Sequence, residues 1–156
     1  MQTPPETNGV AADCAGGDEG GAVPASAAEL NAWLQTRAYT CWARESVVHD
    51  STGPHGGKVK VFLNATLDAS MKAGGEHPSG AVAVKELYGS STDTVTGWAV
   101  GVKTQAASAG GQGWYWYEVF STEPGATGAI EGQGKALCSN CHAGGKDFVL
   151  IDHPLR

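Results

Sequence analysis

The sequence predicts an α+β domain: a mainly antiparallel β-sheet with an N-terminal helix and a C-terminal helix. Three observations carry this. Several short runs rich in Val, aromatic and small residues alternate in polarity and are separated by turns of Gly, Ser and Asp, as strands of a meandering sheet do. One segment near the start repeats apolar residues at helical spacing. Close to the end, Cys138-Ser139-Asn140-Cys141-His142 spaces three chemically matched side chains at i, i+3 and i+4, which share a face only on a helix. With 23 glycines and five tryptophans in 156 residues, the chain reads as strands joined by tight turns, not as a helical bundle.

Residues 1–25 are rich in Gly, Ala, Pro and acidic residues and poor in large apolar groups, so they read as an extended N-terminal arm. Residues 26–156 read as one domain, long enough to bury a core. Ser26 and Glu29 make an S-x-x-E capping box before Leu30, Trp33, Leu34, Ala38 and Cys41, which predicts a helix with one buried face. Residues 44–57 hold Pro54 and paired glycines and read as a loop. Residues 59–63 alternate and predict a strand; Asn64 then caps a short helix through Leu67 and Met71 that ends near Gly74. Further strands are expected over 81–88, 96–103 and 113–120, and the last helix carries Cys138 to His142 and stops at Gly144-Gly145.

The formal charge of −6 argues against a nucleic-acid partner, which wants a basic face. No apolar run approaches the roughly 20 residues of a membrane span. The start is polar and proline-rich and shows no signal peptide, so the chain reads as the mature form of an exported, periplasmic protein.

C-x-x-C-H is the attachment signature of c-type haem. Two thiols one turn apart can form thioether bonds to the two vinyl groups of a porphyrin. The histidine after the second thiol then meets the iron as axial ligand, which makes Cys138, Cys141 and His142 cofactor-binding residues and His142 the metal ligand. Zinc would need further ligands at close spacing, and Cys14 and Cys41 are far from the motif. A thioredoxin-like dithiol would follow an early strand, and this motif is late. Cys14 and Cys41 read instead as a disulfide, which suits an oxidising compartment. The only methionines are Met1 and Met71, so no methionine is expected opposite His142.

The motif order resembles that of the cytochrome P460 family and the related cytochromes c′-β. The pieces are Pro54-His55-Gly56 before Val59–Phe62, then Gly80-Ala81-Val82-Ala83-Val84-Lys85-Glu86, Trp114–Tyr117, Cys138–His142 and Asp147-Phe148-Val149. The resemblance covers roughly Pro54 to Arg156. It implies one covalent haem c on a β-rich body, an open position opposite His142, and hydroxylamine or nitric oxide as small ligand. It also implies an electron-accepting redox protein as partner and a homodimer. In the cytochromes P460 the lysine of the V-K-E strand is linked to the porphyrin edge, and Lys85 occupies that position. Alternation puts Lys85 with Ala81, Ala83 and Leu87 on a small-residue face where a flat ring could lie. Phe62 is expected to point into the same pocket. Glu131 and Gln133, before the last helix, are the candidate catalytic groups that would move protons on the open side. His49, His55, His77 and His153 are read as surface or loop histidines, not as iron ligands. Cytochromes c′-β share the fold and bind gases without turnover, which leaves a non-catalytic NO-binding protein as the alternative.

Overall fold

A computed structural model describes residues 22–127 and 130–156. Helix α1 (Ala27–Gln35) comes first. The Ser26 hydroxyl donates to the Glu29 carboxylate at 2.8 Å and makes no bond to the helix backbone, so the expected box closes between side chains only. The helix is also shorter than its apolar pattern suggested. Arg37 adopts a left-handed backbone, φ 58°, and residues Ala38–Cys41 continue as a single 3-10 turn.

Seven strands follow: β1 (Ala43–Arg44), β2 (His49–Asp50), β3 (Lys58–Leu63), β4 (Val82–Gly89), β5 (Gly97–Lys103), β6 (Trp114–Val119) and β7 (Ile130–Gln133). They form one sheet in the order β1-β3-β4-β5-β6-β7, with β2 pairing the other end of β3. Every pairing of named strands is antiparallel. Helix α2 (Ala65–Ala73) bridges β3 and β4, and helix α3 (Ala136–His142) follows β7. The chain is therefore α+β, with a mainly antiparallel sheet and helices at both ends. Asn64 caps α2 as expected: its Oδ1 accepts from Leu67 N at 3.0 Å, and also from Val82 N at 3.0 Å. That second bond ties the helix start to β4.

Strand alternation divides the core into two. One face carries Phe62, Val84, Trp98, Val100, Tyr115 and Tyr117, buried beneath Leu30, Leu34, Tyr39 and Trp42. The other carries Val61, Leu63, Trp114 and Trp116, covered by Leu67, Met71, Val149 and Leu155. This second face is only partly filled, and its gap is the site described below. Phe62 belongs to the first face, edge-on to Tyr39 at 5.1 Å between ring centres. The expectation that it points into the pocket is corrected: Val61, one residue earlier, takes that direction.

Candidate functional site

A cavity of about 370 Å³ opens on the second face of the sheet. Its floor follows from register. Val61, Lys85, Ala99 and Glu118 are successive partners across β3 to β6, and Ala83, Gly101 and Trp116 form the next row. Ala83, Ala99 and Gly101 make this floor flat. A Cβ on Gly101 would stand 3.0 Å from the Trp116 ring, so a side chain there would crowd the indole. The wall opposite is α3 and the chain that follows it: Cys138, Cys141, His142, Phe148, Val149 and Ile151 line the space. Phe120, Leu137 and Leu150 at the cavity are exposed, the first two by 64% and 66% of their surface. Large apolar groups left this open normally mark a surface that something covers.

Close packing sets α3 on the sheet. Ser139 is buried, and its hydroxyl accepts from Trp116 Nε1 at 3.1 Å. A Cβ on Gly111, where φ is 99°, would meet Ser139 Cβ at 2.6 Å, so only glycine lets the turn before β6 approach the helix. With Ser139 held inward, Cys138, Cys141 and His142 are left lining the cavity. Both thiols are free. Burial pushes the Cys138 thiol above its ordinary pKa, and the Glu118 charge adds to this.

His142 packs on Trp116 at 4.6 Å between ring centres. Its Nδ1 lies 2.9 Å from the Phe148 carbonyl. A carbonyl only accepts, so Nδ1 carries the proton and donates, and Nε2 keeps a lone pair. Burial lowers the imidazole pKa to about 4; the bond to Phe148 opposes that shift and the Lys85 charge reinforces it. The ring is therefore neutral at physiological pH and ready to bind a metal through Nε2.

Lys85 lines the cavity, and among the described residues only the charges around it, with no hydrogen bond or ion pair, act on it. Burial lowers its pKa, opposed by the charges of Glu45 and Glu118. Glu45 is buried, accepting from Val61 N at 3.1 Å and lying 2.6 Å from His49 Nε2. A second, more polar cavity of about 710 Å³ adjoins the first and shares Lys85, His55, Cys141 and His142 with it.

The two groups expected to move protons do not reach this space. Glu131 accepts from the Tyr115 hydroxyl at 2.8 Å, and Gln133 donates to Thr104 Oγ1 at 2.8 Å and to the Gln112 carbonyl at 2.6 Å. Neither side chain lines the cavity, because β7 pairs with β6 at the sheet margin, where Glu131 is bonded to Tyr115 of β6 and Gln133 to the loop between β5 and β6. The carboxylate that does line it is Glu118, hydrogen-bonded to His55 Nδ1. Glu118 was legible in principle: alternation from Trp114 and Trp116 puts it on their face. His55, read as a loop histidine, also lines the cavity, its ring centre 6.2 Å from that of His142. Nor are His77 and His153 surface groups. His77 is buried, and His153 lies within 2.8 Å of Asp68 with its side chain nearly covered.

A haem fits these residues on three counts. The thiols and the imidazole converge on one cavity, the imidazole has its Nδ1 occupied and its Nε2 free, and the floor is flat and apolar. Among the described residues no group of three or more His, Cys, Asp or Glu side chains is arranged to hold a metal ion by itself. Cys41 is disulfide-bonded; its expected partner, Cys14, lies outside the described residues. No helix among the described residues is long and apolar enough to cross a membrane. No family model matches the chain, and neither does any curated protein.

Proposed function

We propose that this chain is an exported c-type haem protein of the cytochrome P460 type, whose haem would bind hydroxylamine or nitric oxide. One observation carries the reading: Cys138, Cys141 and a neutral His142, its Nδ1 already committed to Phe148, line the same apolar cavity. Cys138 and Cys141 would attach the porphyrin, and His142 Nε2 would hold the iron. When bound, the haem supplies a redox-active iron with an open coordination position.

The chain's own residues then have distinct roles. Ala83, Ala99 and Gly101 let the flat ring lie against the sheet. Lys85, poorly solvated and unpaired, would pair with a haem propionate or, with loss of one N–H and one ring C–H hydrogen and two electrons to an external oxidant, bond to the porphyrin edge; either lowers the cost of a poorly solvated cation. Glu118, hydrogen-bonded to His55 Nδ1 at the cavity, would take protons from a bound nitrogen ligand. Electrons would leave to a redox-protein partner. The disulfide at Cys41 supports maturation in an oxidising compartment such as the periplasm.

The alternative, gas binding without turnover, is favoured by the placement of Glu131 and Gln133 outside a predominantly apolar cavity. The deciding experiment has two steps. Acid–acetone extraction should leave the haem on the polypeptide, and free haem in the organic phase would refute covalent attachment. Hydroxylamine oxidation is then assayed with an artificial electron acceptor on wild type and Glu118→Gln. Turnover lost in the variant supports the enzyme. Tight NO binding with no turnover in either protein supports the gas-binding alternative.

A further inference from the structure

Asp147 and Phe148 both take left-handed backbone conformations, with φ of 46° and 69°. Aspartate tolerates that region moderately well, whereas a bulky phenylalanine there is an outlier. Such a residue is strained and persists only when its surroundings over-determine it. The surroundings here are specific. The Asp147 carboxylate accepts from the Ser108 hydroxyl at 2.5 Å, from His77 N at 2.6 Å and from Lys103 Nζ at 3.3 Å. Lys103 is only 1% exposed; it also donates to the His77 carbonyl at 2.6 Å and sits 5.5 Å from the centre of the Trp114 ring. His77 Nε2 lies 2.9 Å from the Lys146 carbonyl, and its Nδ1 lies 2.6 Å from Ser70 Oγ in α2. Lys146 and Val149 exchange backbone hydrogen bonds of 2.9 and 3.1 Å across the turn. Burial raises the Asp147 carboxyl pKa, but the bonds from Ser108 and His77 and the Lys103 charge outweigh it and hold the group below its ordinary value.

What this turn delivers is the Phe148 carbonyl, 2.9 Å from His142 Nδ1. A metal-binding histidine depends on such an acceptor for its tautomer, its ring orientation and its basicity. In most proteins that acceptor sits on relaxed backbone. In this one it belongs to a residue in an unfavourable conformation, so its position must be imposed from outside. We propose that the ion pair of buried Lys103 and half-buried Asp147, with Ser108 and His77, is a positioning device for His142: it holds the strained turn that aims the Phe148 carbonyl at Nδ1. Lys103 and Asp147 are positioning residues, acting through Phe148 on the ligand atom. This inference rests on the reading of His142 as the iron ligand.

Three variants test it. Asp147→Gly accepts the left-handed backbone but removes the carboxylate, Asp147→Asn keeps the size and removes the charge, and Lys103→Met removes the ammonium. Leu34→Ala, in the core on the opposite face of the sheet, serves as the control for general destabilisation. The first readout is the tautomer of His142 by ¹⁵N NMR on the full chain before haem attachment. Wild type and Leu34→Ala should show the Nδ1–H form alone, and Asp147→Gly a mixture with Nε2–H. The second is the reduction potential of the haem-loaded protein. It should move positive in Asp147→Gly and Lys103→Met, less in Asp147→Asn, and stay in place in Leu34→Ala, because a weaker bond at Nδ1 makes the imidazole a poorer donor to iron. If Asp147→Gly does not fold, Asp147→Asn carries both readouts with the same sign. An unchanged tautomer and potential in folded Asp147 variants, or equal shifts in Leu34→Ala, would overturn the proposal. Should wild type carry no haem, the functional reading fails alone, because the tautomer measurement still tests the clamp.

Discussion

Lys85 and Lys103 are both withdrawn from solvent on adjacent strands, β4 and β5, and both rise from the same face of the sheet. Their surroundings are opposite. Lys103 has a carboxylate, two carbonyls and an indole face arranged around its ammonium. Lys85 has a cavity, with Glu45 and Glu118 near enough to act through charge but neither bonded to it. A buried lysine with every donor occupied is part of the framework. A half-buried lysine with none occupied is poorly solvated in this state, and it stands in the wall of a cavity that also holds two thiols and an imidazole. The contrast separates scaffold from site more clearly than residue type does.

The largest way to break the comparison is to make the same substitution at both lysines. Lys103→Ala leaves the half-buried Asp147 carboxylate without its cation beside an empty space and should cost about 3 kcal/mol in denaturant unfolding. Lys85→Ala removes an unpaired cation and should leave haem-free stability unchanged or raised by about 1 kcal/mol. Equal losses at the two positions would erase the distinction.

Haem loading sharpens it next. With the cofactor attached, Lys85→Ala should abolish any red-shifted ferrous band seen in wild type, and intact mass should show whether a bond to the porphyrin was lost. Lys103→Met should keep that band. An ordinary c-type spectrum in wild type and Lys85→Ala alike would move Lys85 from crosslink to propionate partner.

The pH dependences have the same sign but fall in different windows, alkaline for Lys85 and acid for Asp147. Lys85 is depressed in the folded state, so below the ordinary lysine pKa the unfolded chain binds more protons. Its unfavourable contribution is present at neutral pH and fades as pH rises toward about 10. The stability gap between wild type and Lys85→Ala should therefore narrow in alkali. Asp147 is also depressed, but as an acid. Its contribution is present above the unfolded carboxylate pKa and is lost as pH falls through its lower folded value. Acid unfolding of Asp147→Asn should be less steep than that of wild type. Among the losses expected around Asp147 the smallest is Ser108→Ala, which removes one hydrogen bond to the carboxylate and should cost about 1.5 kcal/mol by thermal or chemical unfolding.

The sheet was legible because strand periodicity is local. Residues 82–89, 97–103 and 114–119 stand within a residue or two of where alternation placed them. β1 and β2, two residues each, and β7, with Gly132 inside it, are too short or irregular to show a period. Alternation also put Lys85 with Ala83, and it does so in the cavity. It could not say which face of β3 would be the hollow one, so Phe62 was assigned the wrong side. Glu131 and Gln133 were chosen for their nearness in sequence to the motif, whereas nearness in space belonged to Glu118, two strands away from Lys85.

The sequence by itself determined the α+β class, the order of strands and helices, and the grouping of Cys138, Cys141 and His142 on one helical face, since each follows from spacing within a few residues. Only the tertiary structure decided that Glu118 and His55 meet at the cavity, that Phe62 turns away, and that Lys103 reaches Asp147 across 44 positions. Those choices depend on strand register and on how the last 14 residues fold back over the sheet. Such long-range pairings are fixed by burial and charge satisfaction in three dimensions, for which no local period exists.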